Sequence, residues 1–534
     1  MASQSQPQET KTLPIKILFD KQTNKVVAVE ATNDFVDTLF SFLSLPLGTI
    51  TRLVTTTTNS NNNNDQQLPE PPFPSSINNL YQSVQNLSPN DVWNPVCKQM
   101  LLRPRNPCEA LCSKLVLNVD DTEPARKVYV CGSCDKFTTF PNLVCTCGKP
   151  VREPHNLDSP GSVEAKGGVF VKQNETSFLV FDDLKIVPNS FVNSVPLLLK
   201  MGYSDLTQLE EITQNIGKHE ILKILKYALT SHEPLTNAIL GCDSKKKDDP
   251  LHQFASAVRA RPKTDDSKMD VKVVRSKSQN KIIFAEANED FVDFIFSFLT
   301  IPLGSVVKLL GGNSFVGCVD NLYMSVETLD SSWCTDSHPL LLNPGLALQF
   351  GCPNQPLNIP DVEPPSYYYG TADTRKTRTV YVKYQGNVDQ VVTIEGGVIS
   401  KSRGLVYNPR TLTALDPRSP NRLKEGVVGF VKRPALYGVG DDLKVKLLSA
   451  ISCYSYLKEL NLPLDDIEVK VLTIGEAEAL SLLGASLTSK FTLTSGLEDF
   501  LDVAKQGSTL TSKYTQNKRQ RLDDVLKEEP NLEA

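Results

Sequence analysis

The sequence predicts an α+β fold built twice in tandem. Residues 15–54 and 271–310 are identical at 18 of 40 positions at an offset of 256. Each copy opens on period-two apolar alternation and passes into a 3.6-residue pattern. The helix-rich stretches are grouped late in each copy rather than alternating with strands, which favours α+β over a doubly wound sheet. Further matches extend the repeat. Asn79-Leu80-Tyr81 with Ser83-Val84 returns as Asn321-Leu322-Tyr323 with Ser325-Val326, and Trp93 and Trp333 each follow that motif. Phe170-Val171-Lys172 and Asp182-Asp183-Leu184-Lys185 return as Phe430-Val431-Lys432 and Asp441-Asp442-Leu443-Lys444.

Two units follow from this, residues 12–241 and 270–505, joined by a charge-mixed linker at 242–269 and followed by a polar tail at 506–534. Inside the first unit, 55–76 is rich in Thr, Asn and Pro with little to bury and reads as a disordered insertion.

Within a unit, Ile15, Ile17 and Phe19 alternate, a polar KQTN turn follows, and Val27 and Val29 continue, which is a hairpin signal. Val271, Val273 and Ile283 repeat it. Asn33 reads as a helix N-cap with Asp34 in the first turn, and Phe35, Val36, Leu39, Phe40 and Leu43 form one apolar face. Phe42 widens that face, so burial on more than one side is expected. Pro46 stops the helix and starts a second, short one through Leu53. The middle of each unit, rich in Pro and Asn, reads as loops with short strands, Phe178–Phe181 among them. The last third reads as helix, with Leu206, Leu209 and Ile212 and then Ile221 to Leu229 at helical spacing.

At about 100–200 residues per domain, 534 residues allow three or four domains or two large ones. With 56 Lys and Arg against 61 Asp and Glu, the net charge of −5 gives no chain-wide basic field for nucleic acid or an anionic membrane. The N-terminus has no apolar signal region, and the most apolar stretch, residues 291–304, carries Asp293 and is shorter than the roughly 20 residues a membrane helix needs. A soluble intracellular protein is expected, cytoplasmic, with Lys513 and Lys518-Arg519-Gln520-Arg521 in the tail offering a nuclear-import alternative. Twelve cysteines in such a chain read as free thiols or metal ligands rather than disulfides.

The strongest chemical signal is Cys131-x2-Cys134 followed ten residues later by Cys145-x-Cys147. Two close thiol pairs across a hairpin supply the tetrahedral soft-ligand set that zinc takes, and Gly132 and Gly148 suit tight knuckles. His155 is an alternative fourth ligand, and a redox dithiol at Cys131 and Cys134 is an alternative use. The second unit reads VYVKYQGNVDQ at the matching place and has no cysteines there, so the site is structural rather than catalytic. Cys108 and Cys112 share a four-residue spacing and read as buried thiols.

Asp34 with Asp37 and Asp290 with Asp293 are spaced for acid–base work but read first as acidic residues at helix N-termini. Asp182-Asp183 and Asp441-Asp442 read as turn residues rather than metal ligands. His219-Glu220 and His232-Glu233 have no counterparts in the second unit. No zinc-protease, phosphate-loop or nucleophile-elbow motif is present, and Gly438-x-Gly440 lacks the third glycine of a dinucleotide loop. Around the cysteines, residues 125–155 hold five basic and two acidic side chains, and four thiolates with one zinc leave about +1. Tyr129, Phe137 and Phe140 there read as hairpin packing, with base stacking as the alternative.

The hairpin followed by DFVDTLFSFLSLPLGTITRL, NLYQSV, the C-x2-C hairpin, FDDLKIVPNS and IGKHEILKILKYALTS together resemble the plant domain-of-unknown-function family numbered 674. The resemblance covers almost the whole chain, and DFVD-x3-SFL-x-x-PLG occurs twice. It implies a plant intracellular protein, often of tandem copies, and no particular activity. The family usually carries C-x2-C twice, where this chain has C-x-C at Cys145 and Cys147.

The functional expectation is a non-enzymatic interaction or scaffold protein with one structural zinc and a protein partner. The alternatives are an enzyme with a cleft between the repeats, and a nucleic-acid adaptor using the zinc hairpin.

Overall fold

A computed structural model describes residues 11–501, except 60–75, 123–126, 132, 152, 157–167, 174–176, 242–267, 315, 353–355, 364–365, 372–381, 385–386, 390–391, 395–396, 401–402, 404–406 and 419–427. The first half runs β1 (Leu13–Asp20), β2 (Lys25–Ala31), α1 (Asn33–Phe40), α2 (Leu47–Asn59), α3 (Ile77–Asn86), α4 (Pro95–Leu102) and α5 (Glu109–Cys112). It continues with β3 (Lys127–Val130), β4 (Lys136–Thr138), β5 (Leu143–Val144), β6 (Pro150–Val151), β7 (Glu153–Asn156), β8 (Phe178–Phe181), β9 (Ile186–Pro188), α6 (Phe191–Lys200), β10 (Leu209–Ile216) and α7 (Lys218–Thr230). The second half runs β11 (Met269–Ser276), β12 (Lys281–Ala287), α8 (Glu289–Ser297), α9 (Leu303–Leu309) and α10 (Val319–Thr328). Then follow β13 (Tyr367–Thr371), β14 (Val382–Tyr384), β15 (Asn387–Asp389), β16 (Val392–Ile394), β17 (Gly397–Ser400) and β18 (Tyr407–Ala414). It ends with β19 (Tyr437–Gly440), β20 (Val445–Leu447), α11 (Ala450–Glu459), β21 (Ile467–Ile474) and α12 (Glu476–Thr488). The class is α+β.

Each half contains an antiparallel five-stranded sheet, ordered β10-β1-β2-β8-β9 in the first and β21-β11-β12-β19-β20 in the second. The correspondence reaches the register. A bulge falls between Leu18 and Phe19 in one hairpin and between Val274 and Arg275 in the other. Both hairpin turns use an asparagine at positive φ, Asn24 at 52° and Asn280 at 50°, a conformation that asparagine tolerates better than most residues.

The helix after each hairpin is buried on all sides, as its wide apolar face requires. Thr32, not Asn33, is the N-cap of α1, and Asn33 instead donates to Lys172 O at 2.7 Å. In the second half Asn288, at the place of Thr32, caps α8 by accepting from Phe291 N. Pro46 starts a helix that runs past Leu53 to Asn59, so the expected insertion is helical over Thr55–Asn59, while 60–75 lies outside the described residues. At its far end Ser76 is buried and donates to Ser489 O. Residues 95–102 and 109–112, read as loop, are helical, and Asn94 caps the first of them. Leu209 and Ile212 belong to a strand rather than a helix, because β1 would otherwise be left as an unpaired edge and β10 covers it over eight residues. Met269, placed in the linker, opens β11, and 242–267 and 502–534 lie outside the described residues.

The halves interlock reciprocally. Ser83 on α3 accepts from Val445 N of β20 at 3.0 Å, and Ser325 on α10 accepts from Ile186 N of β9 at 2.9 Å. Asn79 Nδ2 donates to Asp442 O and Asn321 Nδ2 to Asp183 O, each at 3.0 Å. Beyond these helices, Val92 bridges Val431 and Val171 bridges Cys334. Trp333 packs edge-on against Phe178 with ring centroids 5.5 Å apart. Each NLYxSV helix thus closes the short edge of the other half's sheet, and each tryptophan segment pairs with the other half's FVK segment. Removing either serine hydroxyl leaves a buried N–H without an acceptor, which costs about 1–3 kcal/mol. Ser325→Ala and Ser83→Ala are expected to lower the urea midpoint by similar amounts, and a loss confined to one of them would show the contacts to be inequivalent.

The two PLG turns meet where the halves cross. Leu47 N donates to Ile301 O and Leu303 N to Leu45 O, both at 3.0 Å, and Pro46 bridges Pro302. Among the described residues no helix is long and apolar enough to cross a membrane.

Candidate metal centre

Val128 and Val130 turn their side chains into a small core with Phe137, Tyr367, Ile399 and Leu412, which fixes β3 against β4. Cys131 follows β3 directly and Cys134 precedes β4, so the first thiol pair sits at the open end of that hairpin. Cys131 N donates to Lys136 O at 2.9 Å and closes the turn. The second pair lies between β5 and β6, where Leu143 faces Val151 and Val144 faces Pro150. Cys145 N donates to Lys149 O and Gly148 N to Cys145 O, both at 2.8 Å. Gly148 takes φ +85°, which residues with a Cβ rarely adopt. Gly132 lies outside the described residues.

The four sulfurs all lie within 4.8 Å of one another. Cys131 Sγ is 3.6 Å from both Cys134 Sγ and Cys147 Sγ, and Cys134 Sγ is 3.4 Å from Cys145 Sγ. All four are free thiols. A tetrahedron of sulfurs about 2.3 Å from a central zinc has edges of about 3.8 Å, so these separations fit a four-thiolate zinc site. C-x-C therefore converges with C-x2-C despite its tighter spacing. Cys131 and Cys145 are buried, Cys134 is half-buried and Cys147 is exposed, so the centre lies just under the surface.

Four thiols this close cannot all ionise without a cation. Hydrogen bonding from Cys134, then from the Lys149 backbone, lowers the Cys147 thiol to about 7. Sharing its hydrogen with Cys147 and Cys145 pushes Cys134 up. A divalent ion would stabilise all four as thiolates. Lys136 Nζ donates to Thr146 Oγ1 at 2.9 Å and Lys149 Nζ to Ser133 Oγ at 2.6 Å, which sets two ammonium groups beside the cluster.

The hairpin is also a junction. β4 pairs in parallel with β18 of the second half, with Thr413 N donating to Asp135 O at 2.8 Å and Leu415 N to Phe137 O at 2.6 Å. The resulting seven-stranded sheet is ordered β16-β17-β13-β18-β4-β3-β7 and spans both halves. The second half has no cysteines at the matching place; it contributes β13, β16, β17 and β18 to this sheet, while β14 and β15 pair in a separate two-stranded sheet. Phe137 packs edge-on against Tyr367 at 5.0 Å, and Phe140 lies under Arg105 at 5.0 Å. Both rings are buried and neither offers a face to a base.

The other candidate residues go elsewhere. His155, the alternative fourth ligand, pairs with Val128 through its backbone in β7. Cys112 Sγ rests 3.5 Å from Ser44 Oγ and from Asn106 Nδ2, and burial pushes the thiols of Cys108 and Cys112 up to about 12. Glu220 accepts from Gly217 N at the start of α7, and Glu233 is ion-paired with Lys25.

Asp34 and Asp290 do sit in first helical turns. Asp37 and Asp293 do not act through the helix dipole. Asp37 accepts from the N–H groups of Val169, Phe170 and Val171 at 2.7–2.9 Å. Asp293 accepts from Phe430 and Val431, with Arg433 at 3.1 Å. Asp182 accepts from Leu235 N, Thr236 N and Thr236 Oγ1, and Asp441 from Thr494 N and Thr494 Oγ1, so the first acid of each pair is a buried anchor. Asp183 keeps the expected turn role, accepting from Lys185 N. Both DFVD and FVK recur in the sequence, and that joint recurrence was the available signal for the clamp.

No curated protein and no solved structure matches this chain. A family match covers residues 9–477, nearly the whole of both halves. The chain therefore belongs to the family described as protein of unknown function (DUF674).

Proposed function

We propose that the protein is a non-enzymatic interaction scaffold in which one zinc ion, bound by Cys131, Cys134, Cys145 and Cys147, staples the hairpin that joins the halves. The convergence of four sulfurs within 4.8 Å carries this reading. The parallel pairing of β4 with β18 gives the ion a structural task, since it would hold the end of the sheet's connecting strand. The repeated carboxylates that acid–base chemistry would use are engaged by backbone N–H groups, which supports a scaffold over a catalyst. Free thiols that hold an ion persist in a reducing compartment, so the proposed scaffold would act inside the cell.

Zinc content of the freshly purified, reduced full chain tests the metal. One zinc per chain is expected, with Cys131→Ser losing it and exposing 127–156 to proteolysis while the five-stranded sheets persist. Protein free of zinc, or a Cys131→Ser chain that keeps a full equivalent, would refute the site. Turnover in a broad hydrolase and transferase panel would refute the scaffold assignment and leave the metal standing.

A further inference from the structure

Strand β21 is the outermost strand of the second five-stranded sheet. Its inner side is registered against β11 from Ile467 to Ile474, and no strand among the described residues pairs with its outer side. Every second residue of the strand directs its N–H and C=O away from β11, and this row of unpaired groups is a template for another strand. The sheet's opposite edge, β20, is closed by Ser83, and β9 by Ser325. The remaining edge, β10, exposes Glu210, Glu211, Thr213 and Asn215 around a single exposed isoleucine, Ile212, and is correspondingly hydrophilic. By contrast, β21 exposes Val469 (61 %) and Val471 (62 %) on one face, next to Ile467.

The sequence of β21 complements itself. In an antiparallel pair, facing side chains share a face of the sheet, so a strand meets its own copy only about an axis through a residue. With the axis at Val469, valine faces valine, Ile467 faces Val471, and Glu468 faces Lys470 twice. An axis at Glu468 or at Lys470 sets like charges together, and one at Val471 sets Lys470 against Leu472. Within its own strand Lys470 Nζ is ion-paired with Glu468 at 3.6 Å, and Glu468 also lies 3.9 Å from Arg275, but the enclosed Nζ makes no hydrogen bond. A facing Glu468 would add a second carboxylate within reach of it.

We propose that two copies of the chain associate edge to edge through β21, about an axis at Val469, and join their second sheets into one antiparallel ten-stranded sheet. The test is the solution mass of the full chain against concentration, by sedimentation or light scattering. Twice 59.0 kDa is expected at micromolar concentration. Glu468→Lys and Lys470→Glu are each expected to weaken association at least tenfold, and the combined reversal to restore it. Val469→Lys, at an exposed position, is expected to give a folded monomer, with circular dichroism reporting the fold. A monomer at every concentration, a dimer indifferent to Val469→Lys, or a double reversal that folds but stays monomeric would overturn the proposal.

Discussion

Gly304→Ala is expected to cost more than about 3 kcal/mol of unfolding free energy and to reduce soluble yield sharply. Gly304 lies in the second PLG turn, where the two halves cross. A Cβ there would fall well inside 3.0 Å of Leu341 O, with Leu43 O at 3.1 Å and Leu43 Cβ at 3.3 Å. The first obstacle is buried backbone, so no rotamer change relieves it. Against this stands the better helix propensity of alanine in the first turn of α9, worth at most about 1 kcal/mol. Overpacking therefore wins. Gly48→Ala is the internal comparison. Its Cβ would meet Leu101 O and Leu299 O at 3.0 Å and Pro104 Cγ at 3.1 Å, contacts that shifts of a few tenths of an ångström relieve. A smaller loss, about 1–2 kcal/mol, is expected there. Urea unfolding of both variants checks the order. Equal midpoints would mean that the crossing is not held as tightly as its hydrogen bonds imply.

The reason PLG occurs twice is that crossing, and it shows what the sequence could and could not convey. Local patterns were legible. Alternation found β1 and β2, the wide apolar face of α1 was read as buried on several sides, and thiol spacing found all four converging cysteines. Leu209 and Ile212 also fit a helical period, yet a strand forms there because β1 needs a neighbour, which lies 203 residues away at Leu13↔Ile216 and 189 at Asp20↔Leu209. Repetition revealed that Ser83 and Ser325 are equivalent. It does not say which half either one faces, since each copy's surface is the same whether it meets its own sheet or the other. The reciprocal exchange of α3 and α10 is a property of three-dimensional closure. So is the clamp at Asp37, whose donors lie 132–134 residues downstream and leave no mark on local periodicity.

Asp37→Ala should be nearly as damaging as Gly304→Ala, and by a different route. It strands three buried N–H groups at Val169, Phe170 and Val171, each worth about 1–3 kcal/mol when left without an acceptor, so a loss of about 3–5 kcal/mol is expected after partial relaxation. The damage crosses between halves, because the same segment holds Lys172 N on Trp333 O at 2.8 Å and Phe170 O against Thr335 N at 3.0 Å. Asp37→Asn keeps one acceptor oxygen and should cost less. It also isolates the titration. Burial pushes the Asp37 carboxyl up to about 6 against the pull of its three N–H donors, and burial acts the same way on Asp182, Asp293 and Asp441, each at about 6. A carboxyl raised in the fold above its ordinary value of 3.8 binds its proton more tightly folded than unfolded. Its contribution is fully present below 3.8 and is lost as pH rises through about 6. His338, lowered by burial, and Cys147, lowered to about 7, oppose this, as does loss of a thiolate-bound ion on acidification. In the metal-free chain, where four carboxyls outweigh these two groups, stability should therefore rise as pH falls from 7 towards 5. Asp20, Asp121 and Asp466, held low by hydrogen bonds or by Arg52, should reverse the trend only nearer their ordinary range. Urea midpoints at pH 5, 6 and 7 should give an Asp37→Asn profile measurably flatter than the wild type's, and superposable profiles would show that the clamp's N–H groups hold the Asp37 carboxylate ionised throughout.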